Sequence, residues 1–129
     1  MLSHDPLIIV VDDDPYICAG LCELLTSEGF NARGFVGAIA TLDALSSGLR
    51  PHLILLDVQM PLMDGRDLVA ELQRDPELKD IPVVAMTAGN YRVPSGLRLL
   101  KKPLDLDEVL RLASRYSEAP RYEASPASC

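Results

Sequence analysis

The stretch Leu53-Ile-Leu-Leu-Asp57 constrains the chain most. Four apolar residues without alternation read as a strand buried on both faces, which is the situation of a strand inside a parallel sheet. That strand closes on a carboxylate, and an acid at the mouth of an apolar strand is costly unless a cation or hydrogen-bond donors compensate it. In parallel α/β sheets the carboxyl ends of the strands are where ligands bind. Asp57 therefore sits where chemistry is expected. Pro61 and Asp64-Gly65 then turn the chain away.

Leu7-Ile-Ile-Val-Val11 repeats the pattern and ends on Asp12, Asp13 and Asp14. Asp14 is suited to cap a helix that opens on Pro15, places Ile17, Leu21, Leu24 and Leu25 on one face and closes at Gly29. Asn31 to Phe35 reads as a weaker strand. Residues 37–47 carry Ile39, Leu42 and Leu45 at helical spacing and stop at Gly48 and Pro51. A third helix over 66–74 turns Leu68, Val69 and Leu72 inward, and 75–80 forms a charged surface connection. Pro82 to Thr87 is another buried strand, ending on a hydroxyl. Leu97 to Lys101 is a short last strand running into Lys102-Pro103. Asp105 caps a final helix with Leu106, Val109, Leu110 and Ala113 on one face.

Strands alternating with helices, joined by right-handed crossovers, make an α/β fold with a doubly wound, five-stranded parallel sheet. In 129 residues there is room for one such domain, assigned to 1–116, with 117–129 read as a tail or the start of a linker. A net charge of −7 argues against a surface that tracks nucleic-acid phosphates or anionic lipid. No apolar run reaches membrane-span length and the first residues lack an export pattern, so the expected location is cytoplasmic. Cys18 and Cys22, four apart on a helix, read as small apolar side chains, because no further Cys or well-spaced His completes a metal set.

Four strand ends then converge on one edge of the sheet: Asp12-Asp13, Asp57, Thr87 and Lys102. Crowded carboxylates call for a divalent cation, and oxygen donors suit Mg²⁺. A lysine and a hydroxyl beside them suit a phosphoryl group, with Asp57 as the nucleophile.

Val10-Val11-Asp12-Asp13, Asp57 with Met60-Pro61-Leu62-Met63-Asp64-Gly65, Thr87-Ala88 and Lys102-Pro103 together resemble the response-regulator receiver domain of two-component signalling over residues 6–116. The resemblance implies a flavodoxin-like, CheY-like sheet in the order 2-1-3-4-5. It also implies that Asp57 is the phosphoacceptor, that Asp12, Asp13, Asp57 and the Gln59 backbone carbonyl hold Mg²⁺, and that Thr87 and Lys102 engage the phosphoryl group. The implied donor is a sensor histidine kinase or a histidine phosphotransfer protein, and the implied output is a phosphorylation-switched contact with a downstream protein. The net charge argues against direct contact with nucleic acid or membrane, and any patch of Leu97, Leu99 and Leu100 left exposed would be a partner or homodimer surface.

Two positions depart from the pattern. Only fourteen residues separate Thr87 from Lys102, short of the family's usual interval by about two helical turns, so the fourth helix is expected to be reduced or absent. Leu99 stands where the family usually has an aromatic residue, with Tyr91 the nearest ring. Arg92, Arg98, Lys101 and Lys102 read as a small basic rim. Leu97, Leu99 and Leu100 read as mostly core. Without an output segment, the chain reads as a stand-alone receiver or as part of a larger regulator. It is expected to catalyse only its own phosphorylation and dephosphorylation. The alternatives are a docking receiver that works without phosphorylation and an aspartyl-phosphate phosphatase. The latter needs a second acid where Gln59 stands, and a lid.

Overall fold

Every residue of β1 (Leu7–Asp12) and β3 (Leu53–Asp57) is buried. The computed structural model, which describes residues 6–58, 65–88 and 97–118, places them side by side at the centre of one sheet. β2 (Asn31–Val36) flanks β1, while β4 (Val83–Thr87) and β5 (Arg98–Lys101) follow β3, giving the order β2-β1-β3-β4-β5 with every pair parallel. The expected doubly wound topology is the observed one.

Alternation along the strands divides the core. Ile9, Val11, Ile54 and Leu56 point to the layer built by α2 (Ala38–Ser46) and α3 (Gly65–Arg74), where Leu45, Leu68, Val69 and Leu72 meet them. Ile8, Val10, Leu53, Leu55, Val84, Met86 and Leu100 point to the layer of α1 (Pro15–Ser27) and α4 (Leu106–Glu118). Each of the fully buried Leu and Ile side chains is worth roughly 1.5–3 kcal/mol against exposure.

The helices begin and end as their terminal residues dictate. Asp14 Oδ1 accepts from the amides of Tyr16 at 2.9 Å and Ile17 at 3.4 Å, and Pro15 occupies the first turn, where a missing N–H costs nothing. At the far end Gly29 adopts φ 95°, so that Phe30 N reaches Leu25 O and Gly29 N reaches Thr26 O. α2 closes with the same pair of bonds at Gly48 and Leu49. Asp105 Oδ1 accepts from the amides of Asp107 and Glu108, capping α4. α4 runs on to Glu118, into the stretch read as tail.

The helical faces differ from expectation in their first turns. α1 buries Cys18, Leu21 and Leu25, while Ile17 is exposed. α2 buries Ala38, Thr41 and Leu45, with Ile39 outside. α4 buries Val109, Leu112 and Ala113, while Leu106 is exposed and Leu110 is half-buried. Ile17, Ile39 and Leu106 all lie in first turns, at the carboxyl edge where the sheet gives out. The 75–80 connection also differs: Leu78 turns inward and joins the core with Ile81. On β5 only Leu100 is fully buried; Leu97 is half-buried and Leu99 is 36% exposed.

β2 contributes one close contact. Gly34 lies under the sulfurs of Cys18 and Cys22, and a Cβ built there would come within 2.5 Å of Cys18 Sγ and 3.1 Å of Cys22 Sγ. Both thiols are free, and Cys18 donates to the Val10 carbonyl at 3.5 Å. Burial, with smaller contributions from the neighbouring Cys22 and Asp12, pushes the Cys18 thiol up to about 11. Burial also raises Cys22. The reading of these cysteines as packing residues holds.

Ten residues, 88–97, connect β4 to β5. The readings that fall on Gln59, on 60–64, on Tyr91 and Arg92 in the connection, and on 119–129 lie outside the described residues.

Candidate functional site

Parallel pairing brings the strand ends to one edge. Asp12 ends β1 and Asp57 ends β3, on adjacent central strands. Thr87 ends β4 beside them. The register Thr87↔Lys101, with Lys102 N donating to Thr87 O at 2.7 Å, carries the chain of β5 past the edge so that Lys102 can reach back. The Lys102–Pro103 peptide is cis.

The side chains meet. Lys102 Nζ lies 3.3 Å from Asp12 Oδ2 and 3.6 Å from Asp57 Oδ2. Asp12, Asp57 and Thr87 are buried, Lys102 is mostly so, and Asp13 is exposed. One carboxylate oxygen each from Asp12, Asp13 and Asp57 can be chosen so that all three lie within 4.8 Å of one another. The Asp14 amide donates to Asp12 Oδ1 at 2.9 Å, fixing that carboxylate's second oxygen. Ala88, small and exposed, borders the site.

Among the described residues three carboxylates face one ammonium, an excess of negative charge at this edge, and two of those carboxylates are out of water. Buried like charges repel strongly in a medium of low dielectric. A divalent cation with a preference for oxygen removes that imbalance, and clustered carboxylates are the donor set that Mg²⁺ favours. The residues present fit the ion.

The structure thus brings together Asp12, Asp13, Asp57, Thr87 and Lys102. It also corrects the basic rim. Lys102 belongs to the acidic site, Lys101 is exposed, and Arg98 falls on the other face of β5, toward α4. Strand alternation in Arg98-Leu-Leu-Lys101 was the available signal for that separation.

The sequence profile of the response regulator receiver domain matches residues 8–112. The chain belongs to this family. Among its relatives, the DNA-binding dual master transcriptional regulator RpaA of Synechocystis is 36% identical over 112 residues, covering 81% of this chain and 46% of RpaA. The two-component response regulator ORR3 of Oryza sativa subsp. indica is 31% identical over 120 residues, covering 86% of this chain and 90% of ORR3. The chain therefore spans less than half of one relative and nearly all of the other. Among solved structures, the response regulator TrrA of Thermotoga maritima, in complex with Mg²⁺ and BeF, superposes with a TM-score of 0.73 at 28% identity. That match covers 86% of this chain and 98% of TrrA. As a receiver domain of two-component signalling, the chain has the sheet order expected of its family.

Among the described residues, no helix is long and apolar enough to cross a membrane.

Proposed function

We propose that this receiver is a working phosphoacceptor, modified on Asp57 in a Mg²⁺-dependent reaction that switches its contacts with other proteins. The observation that carries this reading is the position of Lys102 Nζ between Asp12 and Asp57, at 3.3 and 3.6 Å, with the Asp13 carboxylate alongside. Asp12, Asp13, Asp57 and the Gln59 carbonyl would hold Mg²⁺, which when bound supplies the positive charge that offsets incoming phosphoryl oxygens.

The chain's own residues do the rest. Asp57 offers a carboxylate oxygen to the phosphorus of a phosphohistidine on a sensor kinase or phosphotransfer protein. The new P–O bond forms as the P–N bond breaks, and the imidazole leaves with that electron pair. Lys102, already paired with Asp57, holds one phosphoryl oxygen by a charge-assisted bond. The Thr87 hydroxyl donates to another. The later attack of water on the acyl phosphate returns Asp57 to its starting form. This is the only chemistry the chain performs, and it takes place in the cytoplasm.

Intact mass after incubation with Mg²⁺ and acetyl phosphate tests the reading. A gain of one phosphoryl group is expected, absent in Asp57→Asn and absent when Mg²⁺ is chelated. Retention of the phosphate in Asp57→Asn would move the nucleophile elsewhere. A folded protein that takes up neither phosphate nor beryllofluoride would be a docking receiver instead.

A further inference from the structure

Cys18 and Cys22 stand one turn apart on α1, on the side that meets Gly34 of β2. A Cβ at Gly34 would begin 2.5 Å from Cys18 Sγ and 3.1 Å from Cys22 Sγ, so the two sulfurs crowd the same point and are close neighbours. Their burial differs. Cys18 is 4% exposed, and its sulfur lies 3.5 Å from the Val10 carbonyl oxygen and 3.8 Å from that of Phe35. Cys22 is half-buried and borders an open hollow of about 480 Å³ with Glu23, Thr26 and Ser27. Gly34 is itself exposed and has no side chain to cover the sulfurs. A small solute therefore reaches Cys22 before Cys18.

The same asymmetry appears in charge. A hydrogen bond between the two thiols favours the thiolate at Cys22 and disfavours it at Cys18, and Asp12 repels a charge on Cys18 further. Cys22 is thus the sulfur that ionises first. Burial raises both thiols above their ordinary value, so their chemistry is slow at neutral pH and begins at the accessible one. Packing accounts for two small side chains over Gly34. An outer sulfur touching an inner one is also what thiol–disulfide exchange needs: one sulfur to attack, and a second beside it to displace the adduct.

We propose that Cys22 and Cys18 form a thiol–disulfide exchange site for small disulfides of the glutathione type. The Cys22 thiolate attacks one sulfur of the disulfide, whose S–S bond breaks. One small thiolate leaves with the electron pair, and a mixed disulfide remains on Cys22. Cys18 then gives its proton to the leaving thiolate and attacks Cys22 Sγ, releasing the second small thiol and closing a Cys18–Cys22 bridge. The two protein thiols are oxidised and the small disulfide is reduced to two thiols. Residues four apart on an α-helix have Cα atoms about 6.2 Å apart, within the span that a disulfide bridges. Their Cβ atoms are about 5–6 Å apart, wider than the roughly 3.5–4.5 Å of a relaxed disulfide. The bridge therefore tightens one turn of α1 and is readily reduced, which makes the modification reversible. The product is uncharged, as a buried position requires. The site is separate from the phosphoacceptor edge and does not rest on the Asp57 reading.

Intact mass of the full chain after incubation with oxidised glutathione tests the proposal, with Cys129→Ser as background to remove the third thiol. That chain is expected to lose two hydrogens, keep no glutathionyl group and regain its mass with dithiothreitol. Cys18→Ala should stop at the mixed disulfide and keep one glutathionyl group. Cys18→Ser, which better preserves the side-chain volume, should trap the same adduct. Cys22→Ala should react at least about tenfold more slowly than Cys18→Ala, since only the inner sulfur is left. Circular dichroism checks that each variant is folded. Equal labelling of Cys18→Ala and Cys22→Ala would overturn the proposal by removing the order of the two sulfurs. No change in the folded chain, where the same chain in denaturant reacts, would reduce the pair to packing. A disulfide-linked dimer in place of the internal bridge would also overturn it.

Discussion

Lys102 is the residue on which the site's charge balance turns. Its ammonium is shared between two buried carboxylates on different strands, and nothing else among the described side chains offers either of them a full positive charge. Removing one partner from such a set leaves the other groups desolvated without compensation. Lys102→Ala is therefore expected to lower stability by roughly 1–3 kcal/mol in the presence of a chelator. The loss should shrink when Mg²⁺ is added, because the divalent ion then supplies positive charge to the same carboxylates. Denaturant titrations with and without Mg²⁺ measure this directly. An equal loss in both conditions would mean that Lys102 acts through packing alone.

Among the elements, β2 carries one demanding contact in addition to its ladder with β1. Its Gly34 pairs with Val10 and lies beneath Cys18 and Cys22, leaving no room for a methyl group. Gly34→Ala should cost about 1–3 kcal/mol by overpacking, and Cys18→Ala in the same chain should recover most of it. Thermal unfolding of the three variants decides the matter. If the double variant is no better than Gly34→Ala, the cost lies in the strand backbone and not under the sulfurs. That contact was not legible in the sequence, since a glycine in a polar edge strand carries no mark of what lies over it. The central strands were legible because residues buried on both faces must be apolar throughout, and the reactive groups because they terminate such runs. The helix phases were legible only past the first turn. Ile17, Ile39 and Leu106 obey the 3.6-residue period, but periodicity cannot tell where the sheet beneath a helix ends. The separation of Arg98 from Lys102 escaped for a related reason: the two stand four residues apart, and alternation and the reach past the strand end send them to different places.

On the scale of the whole molecule, the two-sided core couples local titration to global stability. The folded state holds the Cys18 proton up to about 11, against an ordinary value of 9.0. Between those values the unfolded chain gives up the proton first, so the contribution of this thiol is intact below about pH 9 and is lost as the pH rises through about 11. The unfolding midpoint should fall over that interval more steeply in the wild type than in Cys18→Ala. Matching slopes would remove Cys18 from the account. The register at the reactive edge has a different kind of consequence. Thr87 and Lys101 are held opposite each other by the β4–β5 ladder, and Lys102 is tied to the Thr87 carbonyl, so the Thr87 and Lys102 side of the candidate site is fixed by strand pairing rather than by the segment joining the strands. A change in the length of that segment need not move groups that the ladder positions. Cutting or extending that segment would therefore be a test of the ladder itself, since the distance from Lys102 to Asp12 and Asp57 should survive the change.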